Sequence, residues 1–365
     1  MLYILFNNKW AKRGGIFLVV YLVFVTLSRS QDCDPNVIAA LPGTWKAGIA
    51  GSTNPVSKTD LEKEREILKK IHDKISGAYS PVGLEVSYSY VYGFSQAAGT
   101  NWLANPFSFN MYFLEYECGA SSRNDRNYQP AISSSTQVFI QSNRIWSEQG
   151  YMELFAAEIP EDREEHYFSI KKWPEKVDGF YQLTTAEPTE RDAEKEFLWI
   201  ITKNGRLPFR ALTKKEFINL HLPKMDLFLK ELERYRTPVD STDLEQSVNF
   251  YNEATERIEN HKKAMRDLEA SLTELSPEEL AGPAIIESGQ SWHEFLGFKK
   301  EEDPDIQHLV VPDLSYFDKS LPKWAPKFFC ITVSHDVKDQ VYVSNINSIL
   351  EALDIQFFQS LLDKP

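Results

Sequence analysis

The residues able to do chemistry are scattered. Seven histidines (His72, His166, His221, His261, His293, His308 and His335) include no pair at three- or four-residue spacing, so the two-ligand helix face of a zinc protease is missing. His293-Glu294 opens like HExxH, but Gly297 stands where the second histidine belongs. Gly93-Phe94-Ser95-Gln96-Ala97 follows a strand pattern as a nucleophile elbow does, yet lacks the second glycine of that turn. Ser169-Ile170-Lys171-Lys172 matches SxxK without its partner KTG motif. The acidic runs 161–165 and 301–305 lack the alternating oxygen ligands and the glycine of a calcium loop and read as solvated faces. No phosphate loop or dinucleotide fingerprint occurs, so no catalytic residue, metal site or cofactor is assigned. Paired carboxylates suffice for glycoside hydrolysis, but among 53 Asp and Glu residues spacing alone selects no pair.

Three cysteines, Cys33, Cys118 and Cys330, contain no CxxC and allow three single pairings. Cys330 lies in Phe328-Phe329-Cys330-Ile331, where a thiol is usually a small buried hydrophobe, so Cys33 with Cys118 is the disulfide candidate. The aromatic residues are the other surplus. Tyr88, Tyr90, Tyr92, Trp102, Phe107, Phe109, Tyr112, Tyr116, Trp146, Tyr151 and Trp173 crowd one stretch; such rings stack on sugars or peptides, or simply fill a core.

The elements that must position these groups begin after residue 30. Lys9 to Arg13, the apolar run of about thirteen residues Gly15 to Leu27, and the small Ser28 and Ser30 read as a secretory signal peptide with cleavage expected near Ser30/Gln31, an uncleaved anchor being the alternative. The run is shorter than the roughly 18 residues a membrane span needs, and nothing comparable follows, so no stable membrane insertion is expected after its removal. The leader holds four basic residues and no acid. The remaining chain has 36 basic against 53 acidic residues, a charge of -17 that argues against nucleic acid or an anionic membrane as partner.

Gly43-Thr44-Trp45 resembles the start of lipocalins in three residues, but a helix follows at once. Thr59 with Glu62 reads as a capping box opening an amphipathic helix over 60–75, packed through Leu61, Leu68, Ile71 and Ile75, its Glu and Lys face solvated. From Leu84 the period becomes two, and strands are expected at 84–92, 107–113, 136–141, 151–159, 166–170 and 179–184, then a central one at Glu196 to Thr202. Lys203-Asn204-Gly205-Arg206 is a turn, and Thr213 with Glu216 is a second capping box. A helix from Lys214 to about Arg236 and another from Asp240 or Ser241 to Leu275 form a long hairpin, expected to dock through Leu244, Val248, Tyr251 and Ile258. The last segment offers a strand at Lys327 to Val333, a short strand at Gln340 to Val343, and a helix from Asn345 to Leu362.

The resulting expectation is an α+β fold: a mostly antiparallel sheet with a packed N-terminal helix, a long α-helical hairpin and a C-terminal strand and helix segment. Its parts are the signal peptide 1–30, an α+β domain 31–213, the hairpin 214–281, and 282–365 returning to the sheet. Phe197-Leu198-Trp199-Ile200-Ile201-Thr202-Lys203-Asn204-Gly205-Arg206-Leu207-Pro208-Phe209, with Leu212 to Phe217, Leu275 to Ala284 and Tyr316 to Pro322, resembles an uncharacterised secreted or periplasmic protein group of Bacteroidetes. That resemblance implies an envelope location and transfers no catalytic residue. The function expected is non-enzymatic binding of an envelope protein or glycan in a secreted or periplasmic location. A glycan or peptide hydrolase with dispersed carboxylates and a structural or assembly factor of the envelope are the alternatives.

Overall fold

A computed structural model of the chain describes residues 34–49, 57–93, 104–118, 128–147, 152–154, 167–235, 244–290, 295–318 and 320–364. The leader, Cys33, Ser95, Trp102, Tyr151, His166, His293 and the acidic run 161–165 lie outside these residues.

The first half runs through α1 (Pro35–Ala39), β1 (Thr44–Ala47), α2 (Lys58–Ala78), β2 (Leu84–Val91), β3 (Phe107–Cys118), β4 (Tyr128–Pro130), β5 (Gln137–Ser142), β6 (Ile145–Ser147) and β7 (Met152–Leu154). Then come β8 (Phe168–Ile170), β9 (Glu175–Val177), β10 (Phe180–Ala186), β11 (Glu194–Thr202) and β12 (Phe209–Ala211). The hairpin is α3 (Lys214–Tyr235) and α4 (Leu244–Glu274), followed by α5 (Pro277–Ala281), β13 (Ile285–Glu287), β14 (Ile306–Pro312), β15 (Phe328–Asp336), α6 (Gln340–Ala352) and α7 (Ile355–Leu361).

Nine strands make the main sheet, in the order β1-β2-β3-β5-β15-β11-β10-β9 with β4 beside β3. Only β1 with β2 is parallel. The fold is α+β. The C-terminal β15 enters between β5 and β11, pairing Ile331 with Ile140 on one side and Trp199 on the other. Both faces of the sheet are covered, which is why β11 and β15 read as unbroken apolar runs rather than alternating ones. Phe197, Ile201, Phe329, Ile331 and Val333 join the core under α2, α6 and α7, while Leu198, Ile200, Phe328 and Cys330 join a second core on the opposite face.

That opposite face is covered by a small sheet, β12-β14-β13 with β8 on β14. Val310 of β14 points into the second core; its neighbour Leu309 points away, into a third core shared with the hairpin. Four layers result: helices, large sheet, small sheet, hairpin.

Four local expectations are corrected. The cap of α2 is Ser57, whose hydroxyl accepts from the Asp60 N–H at 3.1 Å, so the helix opens before Thr59 and the Thr59–Glu62 box does not form. Residues Gln340 to Val343 are helical. Asp339 caps them by accepting from the Val341 and Tyr342 N–H groups, which fixes a helix start where the β-branched and aromatic Val-Tyr-Val run suggested a strand. The C-terminal helix breaks at Leu353, and Asp354 caps a separate α7. In the hairpin, Ile258 and Leu268 are fully buried but Tyr251 is 41% exposed, so docking is carried by the stretch from Ile258 onward. The side chains of Leu244 and Val248 lie outside the described residues.

Candidate functional site

Helix α2 turns one stripe toward the main sheet: Glu64, Leu68, Ile71 and Ile75 are buried, with His72 beside them. Leu68, Ile71 and Ile75 recur at the three- and four-residue steps that keep side chains on one helix face. Glu64 and His72 are eight residues, or about 12 Å, apart on that helix. Facing them, β2 presents every second residue, so Val86, Tyr88 and Tyr90 share a face, and Tyr92, just past the strand's end, packs on the same core. Val86 is buried, whereas the three tyrosines pack on the core and remain partly exposed. Strand β1 pairs edge to edge with β2 from Glu85 to Tyr88, so Tyr90 and Tyr92 lie past the end of that pairing.

Trp45 of β1 closes one end of this row. Its ring lies 5.6 Å from His72, 5.9 Å edge-on from Tyr79 and 6.1 Å from Tyr88. His72 is the hub: it stacks on Phe109 at 5.2 Å, meets Tyr88 at 4.2 Å, and its Nδ1 lies 2.7 Å from the Tyr90 hydroxyl. Burial holds the imidazole below its ordinary value, so it is neutral at pH 7, and burial with the Tyr88 and Asp73 neighbours pushes the Tyr90 phenol up to about 12. The pair is therefore a neutral hydrogen-bonded couple. The Trp45 Nε1–H has no hydrogen-bond partner.

At the other end sits Glu64, fully buried, its two oxygens accepting from the Gly93 N–H at 2.8 Å and the Asn105 Nδ2 at 2.9 Å. Burial raises its carboxyl to about 7, outweighing the two N–H donors that act in the opposite direction. The network continues along the end of the sheet. Asn143 Nδ2 donates to the Asn105 carbonyl at 2.9 Å and Asn143 Oδ1 accepts from the Lys327 N–H at 2.7 Å, tying the strand ends to the segment before β15. Asn143 does this from a left-handed backbone, φ 56°. Lys327 is itself buried, with no hydrogen-bond partner for Nζ, and burial depresses its pKa.

Chemically, the strip offers ring faces, a hydroxyl and an imidazole edge, with one proton-holding acid buried beyond it. Among the described residues no group of three or more His, Cys, Asp or Glu side chains converges as a metal site would. Ser169 and Lys172 are exposed, and Lys172 pairs with Glu175. Trp173 packs edge-on to Phe209 at 5.8 Å, away from the strip, and Tyr112 packs on Phe139. Cys118 is disulfide-bonded and Cys330 is a buried free thiol; Cys33 lies outside the described residues. From sequence Trp45 stood out only in the Gly43-Thr44-Trp45 likeness to lipocalins, and neither His72 nor Glu64 was assigned to a site. The one available signal was position: Glu64 precedes Leu68 by four residues, on the helix stripe that is otherwise apolar.

No protein-family model matches this chain, and no curated protein and no solved structure matches it either. Among the described residues no helix is long and apolar enough to cross a membrane.

Proposed function

We propose that the chain is a secreted or periplasmic binding protein that holds an envelope glycan, without chemical turnover, along the strip Trp45, Tyr88, Tyr90 and Tyr92. One observation carries this reading: partly exposed aromatic rings repeat every second residue, at Tyr88, Tyr90 and Tyr92, beside the edge strand of the main sheet. Successive rings, Tyr88 and Tyr90 at 6.0 Å, match a chain of stacked, polar, ring-shaped units better than a compact small molecule. The His72–Tyr90 couple adds hydrogen-bonding groups at the same place. The location is supported by the leader, by the disulfide at Cys118 and by the Bacteroidetes resemblance.

The test is a titration of the chain lacking its first thirty residues with soluble envelope oligosaccharides, followed by tryptophan fluorescence and calorimetry. Saturable binding that falls at least tenfold in Trp45→Ala and in Tyr90→Ala is expected; silence across the panel refutes the reading.

A hydrolase is the second reading, and Glu64 is the observation that favours it, since a carboxyl held near 7 suits a general acid. Glycoside hydrolysis also needs a second carboxyl beside the first. Release of reducing ends that vanishes in Glu64→Gln would replace binding by catalysis.

A further inference from the structure

His72 of α2 and Tyr90 of β2 meet with the imidazole Nδ1 2.7 Å from the phenol oxygen. One proton lies between them, and its owner decides what Tyr90 shows to the outside. A phenol O–H is the stronger donor and an imidazole nitrogen the stronger acceptor. With the ring neutral, Tyr90 therefore donates to Nδ1, the ring carries its own proton on Nε2, and the phenol oxygen has only lone pairs left to offer. A protonated ring has donors at both nitrogens. Its Nδ1–H then donates to the Tyr90 oxygen, and the displaced O–H turns outward. Neither state requires the rings to move. Tyr90 is partly exposed, and among the described residues its hydroxyl bonds His72 alone, so the reversal reaches the surface of the strip.

The surroundings admit both states. Phe109 stacks on the imidazole at 5.2 Å, with Tyr88 at 4.2 Å and Trp45 at 5.6 Å, and ring faces attract a cation. On α2 itself Asp73 acts on both partners and Arg65 on Tyr90. From β2 the ring faces the phenols Tyr88 and Tyr90, from β3 the uncharged Phe109, and from β1 Trp45, whose neighbour Lys46 pairs with Glu85 at 3.2 Å. Burial opposes the imidazolium and Asp73 favours it; burial prevails, so the ring gains its proton below the ordinary value of 6.5.

We propose that the His72–Tyr90 pair is a polarity switch in the strip. With the ring neutral, Tyr90 accepts from hydroxyl or amide donors of a neutral glycan. With the ring protonated, Tyr90 donates, and the added positive charge selects an anionic sugar such as a uronate. The choice of sugar rests on the strip being the glycan site proposed above; the proton arrangement does not.

Two readouts keep these apart. In the protein labelled with nitrogen-15 histidine, ring-nitrogen shifts report the tautomer without any ligand, and His72→Gln identifies the His72 signal among the seven histidines. Nδ1 should be proton-free at about pH 7.5, and both nitrogens protonated at about pH 5. Tyr90→Phe should keep that titration while the neutral ring shares its proton between Nδ1 and Nε2. A proton on Nδ1 at the higher pH, a ring still neutral at the lower, or an unchanged Nδ1 signal in Tyr90→Phe overturns the switch. The second readout titrates a uronic-acid trisaccharide and its uncharged methyl ester at the same two pH values. The uronate should gain about fivefold over the ester at the lower pH, and His72→Gln should abolish the gain. A gain that survives in His72→Gln belongs to another group, such as Glu64, and overturns the switch in recognition. Binding of neither sugar, with the nitrogen shifts as expected, overturns the choice of sugar together with the glycan reading and leaves the proton arrangement supported.

Discussion

Glu64 makes its contribution to the stability of this fold fall as pH rises. Its carboxyl rises from 4.5 to about 7 because it is enclosed between α2, Gly93 and Asn105. That difference corresponds to about 3 kcal/mol at ~1.4 kcal/mol per pH unit. The sign follows from the unfolded chain, where Glu64 ionises near 4.5 while the folded chain still holds its proton. Stability from this group is complete below 4.5, declines as the unfolded state releases its proton, and is gone once pH passes about 7. Between pH 5 and pH 8 the loss integrates to about 2 to 3 kcal/mol.

Glu64→Gln removes the titration but leaves one acceptor oxygen where the carboxyl had two. The Gly93 N–H can keep that oxygen, and turning the Asn105 side-chain amide over brings its own oxygen to the new Gln NH2. The variant should therefore match wild type within about 1 kcal/mol near pH 5 and exceed it by about 2 kcal/mol at pH 8. Urea unfolding at four pH values from 5 to 8 measures this, with the gap between the two proteins as the readout, so that other titrating groups cancel. Parallel curves would refute the burial argument. A variant weaker than wild type at pH 8 would show that the ionised carboxylate is well accommodated by its two N–H donors.

Two further substitutions test parts of the frame. Gly83 has φ +72°, and a Cβ there would stand 2.5 Å from the Ala39 carbonyl oxygen, so Gly83→Ala should cost 2 kcal/mol or more, read as a fall in the thermal midpoint. Glu216 bonds both Arg210 guanidinium nitrogens, at 2.7 and 2.8 Å, and completes the Thr213 capping box; these hold its carboxyl down at about 2. Glu216→Ala should cost about 1 kcal/mol, since the pair is about half exposed. Because the folded value is depressed, that contribution is present above 4.5 and disappears as pH falls through about 2; acid unfolding that begins equally early in both proteins would contradict it.

What could be read from sequence follows what a pattern can encode. Period-two spacing in Leu84 to Val91 and Phe107 to Phe113 states which residues share a face, and those strands form with α2 laid on that face. Thr213 and Glu216 state a helix start, and their box is present at 3.1 Å and 2.9 Å. A pattern does not name a strand's neighbour. Nothing local to Phe328–Asp336 says that it enters between β5 and β11, because an apolar run buried on both faces is compatible with any interior place. Of the small sheet, β8 falls inside the strand expected at 166–170, but β12 and β13 are three residues each, too short for alternation to register. Gln340 to Val343 shows the opposite failure: the β-branched and aromatic run Val341-Tyr342-Val343 suits a strand, and the single Asp339 cap outweighed it.

Two proton-holding carboxyls, Glu64 and Glu115, were illegible for a shared reason. A glutamate among 53 acids carries no mark of its environment, and both were overlooked because charge is expected to face water. Glu64 lies on an otherwise apolar helix stripe and Glu115 continues the inward register of β3, so in each case the hydrophobic period dictated burial and the side chain had to adapt. Glu64 adapts by borrowing two N–H donors, whereas Glu115, half-buried, is raised to about 7 by burial first and by the Asp339 charge next. Asn105, which holds Glu64, and Glu115 are ten residues apart along an extended segment, about 30 Å. At that separation the two titrations act independently. They push in one direction, so a chain already rich in negative charge has its fold loosened at both ends of the main sheet by the same rise in pH.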